Sequence, residues 1–218
     1  MRINISWMAP ASLVLLFCLT LVHFASAQDD IEFSLIKKEG NISIYERWVT
    51  FPGSDPPQAA REVKGEFTIR TTPLEALRLI KDEERLKSWQ SHVSEFKVHS
   101  LTDTSQWYEY SYHDIPWPVS DQDHLLIYRL KKLAHDELLI TFKSFENKAL
   151  APERKGVTRM KLQGSWLLTK ISDTQIKATY RIISQPIGIP KFITDPIVRR
   201  NLMSTIESFV ELLEKKGS

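Results

Sequence analysis

Alternating apolar and polar residues predict strands along most of this chain. From residue 42 to 49, Ile42, Ile44, Glu46 and Trp48 fall on one side. Ser43, Tyr45, Arg47 and Val49 fall on the other. That period of two is the pattern of a half-buried strand. Further strands are predicted over 61–70, 93–101, 106–113, 124–133, 138–145 and 175–184. Residues 157–171 read as two arms or one long bent strand. A short lead-in helix is predicted over 29–38, with Ile31, Leu35 and Ile36 on one side. Thr72-Pro73-Leu74-Glu75 is a helix start: threonine caps, proline takes the first position, and glutamate completes a capping box. This helix is predicted to run toward Lys87, with Leu74, Leu77, Leu79 and Ile80 inward and Trp89 after it.

The last element predicted is a helix over 191–215. At one turn per 3.6 residues, Val198, Leu202, Ile206, Phe209 and Leu213 fall within a sector of about 80°, with Thr205 about 20° beyond its edge. Arg200, Ser204, Glu207 and Glu211 occupy the opposite face. A sheet with one apolar face must bury it, and this helix offers a matching stripe. The order therefore predicts an α+β fold, one antiparallel sheet curled around a long C-terminal helix.

The N-terminus changes the picture of location. Arg2 precedes an apolar run over 11–24, and Ala25-Ser26-Ala27 supplies the small residues of a cleavage site. Residues 1–27 are predicted to be a signal peptide, with cleavage before Gln28 and export to the periplasm or outside the cell. Residues 28–218 suit one domain. The single cysteine, Cys18, lies in the predicted signal, so no disulfide staples the core and no thiol chemistry is expected. A formal net charge of +2, from 29 basic and 27 acidic side chains, lacks the concentrated positive field that nucleic acid requires.

Several segments carry a family resemblance. Pro116-Trp117-Pro118-Val119-Ser120 is a stiff extended crossing, since proline fixes its own φ and restricts its neighbour. It resembles the P-x-P-x-S-x-R-D signature of START lipid-transfer domains. Lys37-Lys38-Glu39-Gly40-Asn41 before a strand ending at Tyr45 resembles the family's opening, and Trp89 stands where these domains carry a tryptophan. Lys155-Gly156-Val157-Thr158-Arg159 resembles the step after the family's mobile loop, and Pro190-Lys191-Phe192-Ile193 its approach to the closing helix. The resemblance spans about Phe33 to Lys215. It implies the helix-grip fold, START/Bet v 1-like, with a ligand cavity between sheet and helix.

The resemblance also implies site residues. Sterol-binding members resemble one another in a buried acid–arginine pair facing the cavity. Glu109 falls at the acidic position. The arginine position falls on Tyr128, with Arg129 one residue late, and such a slip turns a side chain to the other face of a strand. Gln122-Asp123-His124 stands where the family has Arg-Asp and an aromatic. Alternation separates Trp107, Glu109 and Ser111 from Tyr108, Tyr110 and Tyr112; the Glu109 match favours the first set as the inward one. The ligand-lining residues expected are Trp107, Glu109, Trp117, Tyr128, Arg129, Phe192, Val198, Leu202, Thr205, Ile206 and Phe209. Ala149, Leu150, Ala151 and Pro152 are expected to form the tip of a gating loop that meets the membrane transiently.

Catalytic alternatives are weaker. His113 and Asp114 are adjacent, so on a strand they point apart and form no dyad. No histidine spacing suggests a metal site. The sequence thus predicts a monomeric, non-catalytic container for one lipid or sterol-like molecule, without cofactor. The rival is a helix-grip enzyme of cyclase or hydrolase type, which would need polar groups converging inside the same cavity.

Overall fold

The computed structural model describes residues 32–90, 92–117, 119–134, 136–186 and 191–215, with side chains omitted over 191–195. The expected signal peptide and the cleavage site before Gln28 lie outside the described residues.

The strands are β1 (Ser34–Glu39), β2 (Ile42–Thr50), β3 (Ala59–Ile69), β4 (Val93–Ser100), β5 (Gln106–His113) and β6 (Gln122–Lys132). They continue as β7 (Glu137–Ser144), β8 (Thr158–Arg159), β9 (Leu162–Ser172) and β10 (Gln175–Ser184). The helices are α1 (Pro73–Ile80) and α2 (Lys191–Glu214). Nine strands lie in the order β1-β2-β3-β10-β9-β7-β6-β5-β4, and β8 pairs with β6 in parallel. The two expected arms over 157–171 are therefore β8 and β9.

The lead-in helix is a correction: its described part is strand β1, paired antiparallel with β2. Gly40, with φ of 54°, makes the tight turn that folds β1 back. Ladder hydrogen bonds with β2 outweigh the weak helical pattern of three apolar residues. The helix predicted to reach Lys87 also ends early, at Ile80. There the Asp82 carboxylate accepts from the Glu84 and Arg85 backbone N–H groups, which starts a separate turn ahead of the 3-10 segment Leu86–Ser88. Its start is as expected, with the Thr72 hydroxyl accepting from Glu75 N–H. Leu74, expected inside, is exposed.

The stripe of α2 faces the sheet. Leu202, Ile206, Phe209 and Leu213 are buried, with Val198 half-buried beside them, in one core with Phe67, Trp107, Tyr128, Trp166 and Leu168. The helix packs against β2, β3 and α1. Gly65 on β3 permits this approach, because a Cβ there would run into Ile206 Cδ1. The helix thus seats on the β2–β3 flank of the sheet, while β5 and β6 form the far flank. Among the described residues, no helix is long and apolar enough to cross a membrane.

Candidate ligand-binding site

Register decides which side chains of β5 and β6 face the core. Trp107 lies opposite Tyr128, Glu109 opposite Leu126, and Ser111 opposite His124. Trp107, Leu126 and Tyr128 share a core with the α2 stripe. Tyr110 instead packs with Leu125 and Ala151 on the other face, beside Tyr108 and Tyr112. The set containing Glu109 is therefore the inward one.

This wall buries polar groups in an otherwise apolar interior: Glu109, Ser111 and His124 are all inaccessible. The Tyr128 hydroxyl donates to Glu109 Oε1 over 3.2 Å. His124 Nε2 stands 3.7 Å from the same oxygen, beyond hydrogen-bond reach. The His124 ring lies against that of His113, centroids 5.2 Å apart, and Ser111 Oγ is 3.1 Å from His113 Nε2. Burial sets the charge here. It pushes the Glu109 carboxyl up to about 8, although the Tyr128 hydroxyl pulls the other way. Burial also holds His113 down at about 3 and His124 at about 4, with His124 adding to the effect on His113. It raises Tyr128 and Tyr180 above the ordinary phenol range, and Glu109 contributes to both. Near neutral pH these groups are predominantly uncharged.

Aromatic rings extend the wall toward the helix. Trp107 stacks on Tyr128 at 5.0 Å, Tyr128 meets Phe142 at 5.1 Å, and Tyr180 stacks on Trp166 at 4.1 Å. Trp166 reaches Phe209 of α2 at 5.1 Å, and Phe209 reaches Trp89 at 5.0 Å. Several polar atoms on this surface have no hydrogen-bond partner among the described residues: Trp89 Nε1, Trp107 Nε1 and both ring nitrogens of His124. A buried donor left unpaired costs about 1–3 kcal/mol.

Other expected site residues lie elsewhere. Arg129 is exposed on the outer face, its Nε donating to Gln106 Oε1 at 3.4 Å, because the one-residue slip turns it away from the core. Trp117 is 92% exposed and lines no interior. Both are corrections. Thr205 is half-buried, and the Phe192 side chain lies outside the described part. A groove of about 360 Å³ on the outer face is lined by Ile127, Phe142 and Ile183 as well as by Glu62, Arg129 and Arg181.

The expected gating loop is tied against the outer face of β5 and β6. Ala151 is buried with Tyr110 and Leu125, Leu150 is half-buried, and Ala149 and Pro152 are exposed. Arg159 grips the buried Asp123 carboxylate through Nε at 2.6 Å and Nη2 at 2.9 Å, and also donates to the Ala151 and Pro152 carbonyls. Arg154 forms a two-pronged pair with Glu95 and lies over the Tyr112 ring. Ser120 and Thr158 hydroxyls, 2.9 Å apart, join this segment to the turn that carries Trp117.

His124 and Tyr180 were missed as site residues. His124 could have been found from the β5–β6 register, since it shares the alternation of Leu126 and Tyr128. Tyr180, on β10, is separated from β5 by three strands in the sheet and still feels the Glu109 carboxyl, a relation that no local pattern encodes. Among the described residues, no cluster of three His, Cys, Asp or Glu side chains is arranged to hold a metal.

No family model matches the chain. An uncharacterized protein of Pseudomonas aeruginosa is 24% identical over 187 residues, covering 85% of this chain and 88% of that protein. A STAR-related lipid transfer protein from Xanthomonas axonopodis superposes with a TM-score of 0.69 at 23% identity, over 83% of this chain and 98% of that one. Human StAR-related lipid transfer protein 5 gives 0.70 at 15% identity, over 88% and 91%. The Zhui aromatase/cyclase from Streptomyces gives 0.54 at 10% identity, over 73% and 96%. The ten-stranded sheet, its C-terminal helix and these superpositions agree: in its fold, this chain is a START-type, helix-grip domain.

Proposed function

We propose that the protein binds one hydrophobic molecule, a lipid or sterol-like compound, between the curved sheet and α2, and carries it between membranes unchanged. The observation that carries this reading is the buried wall of β5 and β6. Glu109, hydrogen-bonded by the Tyr128 hydroxyl, and His124, whose ring nitrogens have no hydrogen-bond partner among the described residues, are buried there in an aromatic interior with the unpaired Nε1–H groups of Trp89 and Trp107. A filled structural core would replace such groups with apolar ones, whereas a guest with a polar end gives them partners. Apolar burial of the rest of the guest, at about 25 cal/mol per Å², supplies the driving force. The lipid transfer proteins among the structural neighbours agree with this reading. The sequence of residues 1–27 supports export, and the exposed Trp117 supports a transient membrane contact.

A second reading, a cyclase-type enzyme, draws on the convergence of Ser111, His113, His124 and Glu109. Against it, histidines held at about 3 and 4 are weak bases near neutral pH. Transfer of a fluorescent sterol or phospholipid between donor and acceptor vesicles tests the carrier. Acceleration by catalytic amounts of protein, with the lipid recovered intact, is expected. Conversion of the lipid to a new product would instead favour the enzyme.

A further inference from the structure

The hydrogen-bond inventory of the inner wall restricts what can be seated against it. Resting on the carrier reading, we infer that the guest is an uncharged molecule whose polar end carries acceptor oxygens, hydroxyl or carbonyl, and not a phosphate, carboxylate or ammonium group.

The unfilled positions are mainly donors. Trp89 Nε1–H and Trp107 Nε1–H can only donate, and neutral His124 offers one donor and one acceptor. Glu109 already accepts from Tyr128 through Oε1, and its protonated form has an O–H to give. A guest that meets this set presents oxygen lone pairs. A hydroxyl also supplies the one proton that His124 can accept.

The wall offers an anion little. Arg129, one residue from the matching position, points outward, and the inward place is filled by the Tyr128 hydroxyl. His113 and His124 face the wall as neutral rings. Lys81, at the end of α1, does approach, its Nζ 4.4 Å from the centre of the Trp107 ring. It is half-buried, and burial already disfavours its charged form. An ammonium would rely on ionising Glu109, which burial resists. Bringing a full charge inside without a hydrogen-bonded counterion is far costlier than bringing a hydroxyl.

The experiment compares probes that differ only at the head: dodecanol, dodecanoate and dodecylamine, titrated near neutral pH against the purified protein and followed by tryptophan fluorescence. Dodecanol is expected to bind at least about tenfold more tightly than either charged probe. Equal or tighter binding of dodecanoate or dodecylamine overturns the inference and leaves the carrier reading intact. Failure of all three probes to bind overturns the carrier reading itself. Trp107→Phe keeps the ring stack and removes one unpaired N–H. It is expected to weaken dodecanol about fivefold, and because the smaller ring leaves a void the melting temperature falls as well, so affinities are compared at a temperature where both proteins are folded. Unaltered dodecanol affinity in Trp107→Phe would overturn the assigned role of that donor.

Discussion

Replacing Glu109 with glutamine should change how stability depends on pH. In the folded protein the Glu109 carboxyl holds its proton up to about 8, against an ordinary value of 4.5. Between those values the folded state keeps a proton that the unfolded chain has released. The stabilisation is therefore fully present below 4.5 and is lost as pH rises toward 8. His113 and His124 act oppositely: held at about 3 and 4 against 6.5, they reduce stability as pH falls below 6.5. Stability should thus peak near pH 6.5 and fall above it on account of Glu109. Each pH unit is worth about 1.4 kcal/mol, so the fall from pH 6.5 to 8 comes to about 2 kcal/mol. Glutamine keeps the shape and the acceptor for Tyr128, but cannot ionise. Urea denaturation of both proteins at the two pH values measures the difference, and the histidine contributions cancel between them. A Glu109→Gln protein that loses as much stability between pH 6.5 and 8 as the parent would refute the assignment of Glu109 as a buried neutral acid.

Other outcomes follow from the packing. Leu202→Asp places a carboxylate in the α2 stripe and should cost several kcal/mol in denaturant melts and abolish ligand binding; retention of both would detach α2 from the core. Gly65→Ala should cost about 1 kcal/mol through its clash with Ile206 Cδ1, and an unchanged melt would mean that the Ile206 side chain turns aside without loss of packing. Arg159→Met leaves the Asp123 carboxylate buried without its cation; the expected loss is about 3 kcal/mol, discounted because Arg159 is about a third exposed, and a loss below about 1 would show that the loop latch contributes little. Trp117→Ser should lower binding to anionic vesicles roughly tenfold without altering the melting temperature, and unchanged sedimentation with vesicles would remove Trp117 from the membrane contact.

Much of the fold was legible because alternation is a local signal. The bounds of β5 and β10 agree with those read from the pattern, and the stripe of α2 is the buried one. Two elements were misread where tertiary pairing or a side-chain cap overrode weak periodicity: β1, captured by β2, and the end of α1, stopped by Asp82. Within the site, the inward orientation of Glu109 and Tyr128 was legible from their matched positions. The outward turn of Arg129 follows from the same one-residue slip that the sequence displays. The exposure of Trp117 was not legible, because an aromatic between prolines is compatible with either a lid or a tip. Nor was the latch of Arg159 on Asp123, which joins residues 36 apart through the pairing of β8 with β6.

The central claim is that the interior receives one intact hydrophobic guest. Native mass spectrometry of the protein purified gently from the cells that make it tests this most directly. The account predicts a one-to-one complex with a neutral, oxygen-bearing hydrophobic molecule that is released unchanged on denaturation, and that is lost from Leu202→Asp. An empty protein, together with no uptake when it is exposed to a total lipid extract of those cells, would contradict it.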